Sequence, residues 1–364
     1  MNWLLVFLGF SLLIVLHEAG HFFAAKATGM RAEKFFLFFG PTLVSFKRGE
    51  TEYGIAAIPL GGFVKISGMN PEEELPPEVE SRAYYRQPVW KRIVVTAAGP
   101  AVNIALAFLI LFFVAFSFPE AENRVGAIEH GSPGAKAGIQ PGDRLISVDG
   151  KTFANDSNTL RLGELGKQIA SHECDEAKPE KGCRAGTPAH LVLERDGKQV
   201  ELSVYPTYDP AVKRTRVGIE YATKSAASSP GEAASFAGDN VWLVTSGTFH
   251  VISHLFESQE RKQVSSVVGI SDAANQALDF GAVPSLMLLA LVSLSLGLIN
   301  LLPILPLDGG HIFWSLVEKL RGAPVSMRVI ERATVVGFAL VAVLLFIGLS
   351  NDIGRITGEG FNAR

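Results

Sequence analysis

The chain has 364 residues, of which 48% are hydrophobic and 19% are charged. This length and composition predict two or three domains and a membrane protein with a soluble part. The formal net charge of −3 gives no indication of nucleic-acid binding, because proteins of that class carry strongly basic surfaces.

The N-terminal segment, residues 2–25, is apolar and long enough to cross a bilayer as a helix. It contains His17, Glu18 and His21 in the pattern HExxH, which places the two imidazoles one turn apart on one helical face. Two neutral imidazoles can bind Zn²⁺, and a carboxylate beside them can act as a general base. Because ionisable side chains are costly in a bilayer, the pattern predicts a zinc site within the membrane. A secretory signal peptide is a weaker explanation, since no basic residue precedes the apolar run.

Residues 49–65 alternate in polarity and include Gly54, Pro59, Gly61 and Gly62. This pattern predicts a β-hairpin near the inner membrane face, with an open edge that could pair with an unwound substrate strand. The alternative is an ordinary cytoplasmic loop.

A second apolar span covers residues 93–118. The run Gly99-Pro100-x-x-Asn103 lies about ten residues inside the span from its cytoplasmic end. Asn103 is therefore expected near the membrane depth of the two histidines.

Residues 124–206 are predicted to form a small β-rich domain, and the run 131–150 resembles a PDZ domain of the bacterial protease type. Domains of that type bind extended peptides at a sheet edge. The alternative is a spacer that limits access to the membrane site by its bulk. The expected elements are a short helix at 133–137 and strands at 144–148, 190–195 and 199–206.

The two cysteines, Cys174 and Cys183, are nine residues apart in a polar stretch of this region. On the outer side of the membrane they are expected to form a disulfide bond. Two unpaired thiols are the alternative.

Residues 239–257 interleave apolar and polar side chains, which predicts a helix at the outer membrane interface. His250 and His254 lie one turn apart there. No acidic third ligand accompanies them, so no metal role is predicted for the pair.

Two further spans are expected at residues 283–302 and 333–349. The first ends in the run that begins at Asn300, where Pro303 and Pro306 should unwind the chain. Asp308 then reaches the membrane depth of the histidines and is the expected third zinc ligand. His311 is a rival for that role by residue type.

Lysine and arginine are concentrated between spans one and two and between spans three and four. The positive-inside rule therefore places both termini and the long region 119–282 outside, with the active site toward the cytoplasm.

Three separated motifs now occur in order, namely HExxH at 17–21, GPxxN at 99–103 and NxxPxxxLDG at 300–309. Together they resemble the site-2 protease family of intramembrane zinc metalloproteases, peptidase family M50. The run Gly61-Gly62-Phe63-Val64-Lys65 and the PDZ-like insertion are similar to the bacterial regulator-of-sigma-E protease branch. Relatives in that branch often carry two PDZ domains, whereas this sequence has room for one.

The resemblance implies Zn²⁺ as the cofactor and a bacterial inner-membrane location. It assigns His17, His21 and Asp308 to zinc, Glu18 to general-base catalysis, and Asn103 and Asn300 to substrate handling. The implied partners are the lipid bilayer, a peptide ligand of the PDZ-like domain, and single-span membrane substrates such as anti-sigma factors or signal-peptide remnants.

The expected fold is membrane α-helical, with four transmembrane helices, an inserted extracytoplasmic PDZ-like β-rich domain and a membrane-associated β-hairpin. The expected segments are 1–118 with two spans and the hairpin, 119–210 as the PDZ-like domain, 211–282 as linker and interfacial helix, and 283–364 with the last two spans.

Two functions from other classes compete with the protease. One is a membrane-anchored PDZ scaffold whose metal site is vestigial. The other is a metal transporter that uses the same three side chains as a transit site.

Overall fold

The computed structural model describes residues 2–70, 73–152, 159–176, 179–254, 257 and 264–357. The chain divides into two compact units. Met1–Val114 and Ala234–Arg364 form the first, and Ala115–Ala233 form the second.

Four helices of the first unit are long and apolar enough to cross a membrane. Their positions agree with the four predicted spans, although the second begins four residues earlier, directly after Pro88, and the fourth is longer at both ends. The helices are α1 (Asn2–Ala27), α3 (Val89–Val114), α8 (Ala282–Asn300) and α10 (Met327–Thr357), with the short α2 (Pro77–Glu80) before α3.

Helix α3 packs between α1 and α8. Ala107 and Leu111 of α3 form a buried cluster with Ala290 and Leu294 of α8. Gly20 of α1 lies so close to α3 that a Cβ there would be 2.5 Å from the Ala98 carbonyl oxygen. Small residues at such crossings are typical of membrane helices, because they let the backbones approach.

Three further helices of this unit are α6 (Pro230–Ser253), α7 (Val267–Phe280) and α9 (Asp308–Arg321). Helix α6 contains most of the predicted interfacial helix, whose Leu255 and Phe256 lie outside the described residues. Helices α7 and α9 were not predicted from the sequence, where the segment holding α9 was treated as a short connection.

A sheet formed by β1 (Ala32–Arg48) and β2 (Thr51–Ile66) follows α1. Residues 49–65, predicted as the hairpin, supply its turn and second strand, while the first strand comes from the residues before them. Both strands bend, so that residues 34–37 pair with 62–65 on one side and with 52–55 on the other. Residues 62–65 consequently form an edge of this sheet.

The elements of the second unit are β3 (Pro119–Ile128), α4 (Pro133–Ala137), β4 (Arg144–Val148), β5 (Lys151–Thr152), α5 (Thr159–Ala170), β6 (Ala189–Arg195), β7 (Lys198–Val204), β8 (Thr207–Asp209), β9 (Arg214–Arg216) and β10 (Ile219–Ser225). They include a four-stranded sheet in the order β5-β4-β6-β7 and two pairs, β3-β10 and β8-β9. The predicted helix at 133–137 and the three predicted strands are confirmed, each within two residues at its ends. The predicted boundary at residue 210 falls inside the unit, because β10 pairs with β3.

The core of this unit is apolar and closed, with Leu145, Leu165, Leu191 and Leu193 almost fully buried. Cys174 and Cys183 are joined by a disulfide bond, as the sequence predicted.

Candidate metal centre and active site

The two histidines of the HExxH pattern lie on the face of α1 that contacts α3. Their Nε2 atoms are 3.3 Å apart, and the His17 ring is buried. The one-turn spacing of a helix places both side chains on the same face of α1.

Asp308 reaches the same place from the far end of the chain. It is the first residue of α9, and the chain between α8 and α9 is irregular, with Pro303 and Pro306 in it. Its Oδ2 lies 3.2 Å from Nε2 of His17 and 3.4 Å from Nε2 of His21. Gly309 and Gly310 permit this close turn, because a Cβ at either position would run into the backbone of residues 301–305.

The three ligand atoms fit a zinc ion. Tetrahedral ligands about 2.0 Å from a metal are separated from one another by about 3.3 Å, and the three observed separations are 3.2, 3.3 and 3.4 Å. Among the residues that the structure describes, these three form the one group of His, Cys, Asp or Glu side chains whose ligand atoms all lie within 4.8 Å of one another. Two imidazoles and one carboxylate also leave one position open, which is typical of a catalytic zinc site.

The orientation of the rings is set by α3. Nδ1 of His21 donates a hydrogen bond to the Val95 carbonyl oxygen at 2.8 Å, which leaves Nε2 free to bind a metal. Gly99 makes room for both rings, since a Cβ there would lie 2.6 Å from Cε1 of His21 and 2.9 Å from Nε2 of His17. The glycine of the GPxxN motif therefore has a steric role in the site.

A cavity of about 500 Å³ opens onto the three ligands. Glu18, Asn300 and His311 line it. The edge strand of the β1–β2 sheet forms another wall, and a Cβ on Gly62 would lie 3.2 Å from Cγ of Glu18. The candidate base, the candidate ligands and an exposed strand edge therefore share one cavity.

The two asparagines are placed differently. Asn300 lines the cavity, and its Nδ2 donates to the Leu296 carbonyl oxygen at 3.0 Å. Asn103 is 0% exposed between α3 and α8 and does not line the cavity. Among the described residues its side-chain amide has no hydrogen-bond partner, while Ser293 Oγ donates to its backbone carbonyl at 2.9 Å.

His311, the rival ligand, lines the same cavity but does not belong to the group of three ligand atoms. The carboxylate of Asp308, the first residue of α9, occupies that position, with Oδ2 within 3.4 Å of both imidazoles.

One interaction beside the site was missed from the sequence. Arg92 of α3 and Glu318 of α9 form a largely buried ion pair at 2.8 Å. The pair fastens the helix that begins with Asp308 to the helix that orients His21. The two residues lie far apart in the chain and within no motif, so no local signal could have linked them.

Comparisons with known proteins agree with this geometry. The model of peptidase family M50 matches residues 5–344. A provisionally named zinc metalloprotease of Brucella suis biovar 1 is 32% identical, over 94% of this chain and 92% of its own length. Another such protein, from Rhizobium meliloti, is 31% identical over 96% of this chain and 95% of its own length. Zinc metalloprotease Rip1 of Mycobacterium tuberculosis H37Rv is 30% identical over 93% of this chain and 94% of its own length.

The family match spans nearly the whole chain, and these relatives are full-length matches. The four apolar helices make the protein membrane-integral. The chain thus belongs to peptidase family M50, the site-2 protease family, and is a zinc metalloprotease.

Proposed function

We propose that this protease hydrolyses peptide bonds in or near the transmembrane segments of single-span membrane proteins. In this proposal His17, His21 and Asp308 hold the zinc ion and Glu18 is the general base. The observation that carries it is the triangle of ligand atoms with sides of 3.2 to 3.4 Å, built partly from a membrane-spanning helix. Bound zinc supplies a Lewis acid that polarises a carbonyl and lowers the pKa of a water molecule to about 7.

Groups of the protein itself transfer the proton and orient the zinc ligands. The carboxylate of Glu18 accepts the proton of the attacking water and passes it to the leaving nitrogen. The Val95 carbonyl holds His21 in one tautomer, so the ligand set needs little reorganisation during the reaction.

A substrate helix must unwind before its backbone reaches the cavity, since its carbonyl groups are hydrogen-bonded internally. We propose that the unwound segment pairs with the edge strand at residues 62–65, which lies beside Glu18. Asn300 offers a side-chain amide at the same cavity. For Asn103 we propose a role in a substrate-bound state, because a buried amide without a partner is costly and favours a polar ligand.

The second unit is proposed to be a PDZ-like domain, on the evidence of its short helix and the order of its strands. It would lie outside, bind peptide and favour substrates already trimmed by another protease. The distribution of lysine and arginine supports a cytoplasmic side for the active site. The proposed setting is a bacterial inner membrane, and the proposed substrates are anti-sigma factors or signal-peptide remnants.

The test uses the full chain in detergent with a tagged single-span substrate. Glu18→Gln should retain zinc but lose cleavage by about a hundredfold or more, whereas His17→Ala should lose both. Glu331→Gln, a change at an exposed position of α10, is the matched control. Cleavage by Glu18→Gln at the control rate, or cleavage that survives complete chelation, would refute the mechanism. Peptide binding without any cleavage would favour the scaffold, and zinc flux without cleavage would favour the transporter.

A further inference from the structure

The second unit contains a cavity of about 590 Å³ that the proteolytic mechanism does not use. Its volume lies in the range of ligand-binding pockets, about 300–1,000 Å³. Its walls come from α4, from residues 181, 182 and 184 at the C-terminal end of the disulfide loop, and from strands β7 to β9.

Positive charge predominates in this cleft. Its two carboxylates, Glu129 and Asp209, are both engaged by Arg216, at 2.9 and 2.6 Å. Lys136, Lys181 and Arg184 also line it. None of these three forms an ion pair with another residue that the structure describes.

The basic wall is held in a fixed position. Gly182 N–H donates to the Tyr208 carbonyl oxygen at 2.9 Å, and Tyr208 N–H donates to that of Cys183 at 2.7 Å. Cys183 is also tied to Cys174 by the disulfide bond. The Arg184 guanidinium lies 3.7 Å from the centre of the Tyr205 ring. A wall that is ordered before binding lowers the entropic cost of binding a ligand.

We infer that this cleft binds an extended peptide segment that carries several Asp or Glu side chains. The three cations without an ion pair stand on two walls of the cleft, Lys136 on α4 and the other two at the end of the disulfide loop, and a run of carboxylates offers each of them a partner. Tyr205 and Tyr208 line the cleft as well and offer apolar surface to the backbone of the peptide. This inference deepens the peptide binding proposed for the second unit, since it names the cleft and the acidic class of peptide, and it does not rest on the proteolytic mechanism.

The experiment measures fluorescence anisotropy of a labelled hexaglutamate peptide with the full chain in detergent, and hexaglutamine is the reference peptide. Hexaglutamate should bind at least tenfold more tightly, and its affinity should fall as salt is added. Lys181→Glu and Lys136→Glu, which alter different walls, should each weaken binding by about tenfold. Lys198→Glu is the matched control, because Lys198 is exposed on β7 and does not line the cleft.

Equal affinity for the two peptides would overturn the inference, as would wild-type affinity in both Lys181→Glu and Lys136→Glu. Equal loss in Lys198→Glu would do the same, because it would indicate a general charge effect. This assay does not measure proteolysis, so its failure leaves the proposed proteolytic mechanism untouched. Failure of the cleavage test would likewise leave the inferred peptide binding untouched.

Discussion

Gly99 allows both imidazole rings of the metal site to lie against α3. Any larger residue would place a carbon 2.6 Å from Cε1 of His21 and 2.9 Å from Nε2 of His17. Such separations are well inside van der Waals contact, so the rings would have to move. Movement of even 1 Å disrupts a metal-ligand set, since ligand distances vary by only about 0.2 Å.

We therefore predict that Gly99→Ala lowers the zinc content of the purified protein by about tenfold. Metal analysis of the protein in detergent measures this directly. Gly9→Ala is the matched control, since its Cβ would meet only Cδ1 of Leu289, at an ordinary 3.6 Å. Full zinc occupancy in Gly99→Ala would contradict the steric argument.

Asp143 of the second unit is buried and accepts two hydrogen bonds from Arg195, each at 2.7 Å. Burial acts to raise the pKa of this carboxyl group, but Arg195 and the backbone amide of Gln140 outweigh it and hold the pKa below its usual value. A lowered folded-state pKa adds stability above the unfolded-state pKa of about 3.9. That stability is lost as the pH falls through the lowered value.

Asp143→Asn should accordingly destabilise β6 and β7 at neutral pH by about 1–3 kcal/mol. The difference from the wild type should shrink as the pH falls below about 4, because the carboxyl group of the unfolded chain binds a proton there before that of the folded protein does. Hydrogen exchange of the full chain, corrected for intrinsic pH dependence, measures both effects. Glu201→Gln, at an exposed position on β7, is the control. A pH-independent difference would rule out the electrostatic explanation.

Among secondary-structure elements, α7 depends on a residue of another helix. Asp352 of α10 is 0% exposed and accepts hydrogen bonds from Ser266 N–H at 2.7 Å, Ser266 Oγ at 2.6 Å and Gly269 N–H at 2.9 Å. A carboxylate at a helix N-terminus satisfies backbone N–H groups that have no partner within the helix.

Asp352→Asn should loosen the first turn of α7 by about 1–2 kcal/mol, because the amide replaces one acceptor oxygen with a donor. Faster hydrogen exchange at residues 267–270 is the expected result. Asp272→Asn is the control, since Asp272 contacts Gln276 within the same helix. Unchanged exchange in Asp352→Asn would show that α7 is held by packing alone.

In the molecule as a whole, the proposed metal ligands connect α1 with α9. A ligand that binds only the folded state stabilises it by RT ln(1 + [L]/Kd), about 4 kcal/mol at a thousandfold excess over Kd. Zinc bound by His17, His21 and Asp308 should therefore raise the unfolding temperature of the whole membrane unit.

Chelation should lower that unfolding temperature by several degrees, about 2–4 °C for each kcal/mol lost in a unit of this size. Added zinc should restore it. His17→Ala should show the lower temperature from the start and respond to neither treatment. Thermal unfolding in detergent tests this, and a chelator response in His17→Ala equal to that of the wild type would place the metal elsewhere.

The sequence by itself determined the features that depend on local periodicity. The four apolar spans follow from the length of each apolar run. The placing of His17 and His21 on one helical face and the strands of the second unit follow from the 3.6- and 2-residue repeats. These features involve residues close together in the chain, so their geometry is set by backbone rules.

Tertiary structure alone decided which distant groups meet. The position of Asp308 within 3.4 Å of both imidazoles depends on packing between α3 and α9, and the Arg92–Glu318 pair that holds those helices together belongs to no motif. The fold likewise determined the burial of Asn103 and the pairing of residues 34–37 with both 62–65 and 52–55. The physical reason is that burial and long-range contact are properties of the packed chain, and no single segment contains them.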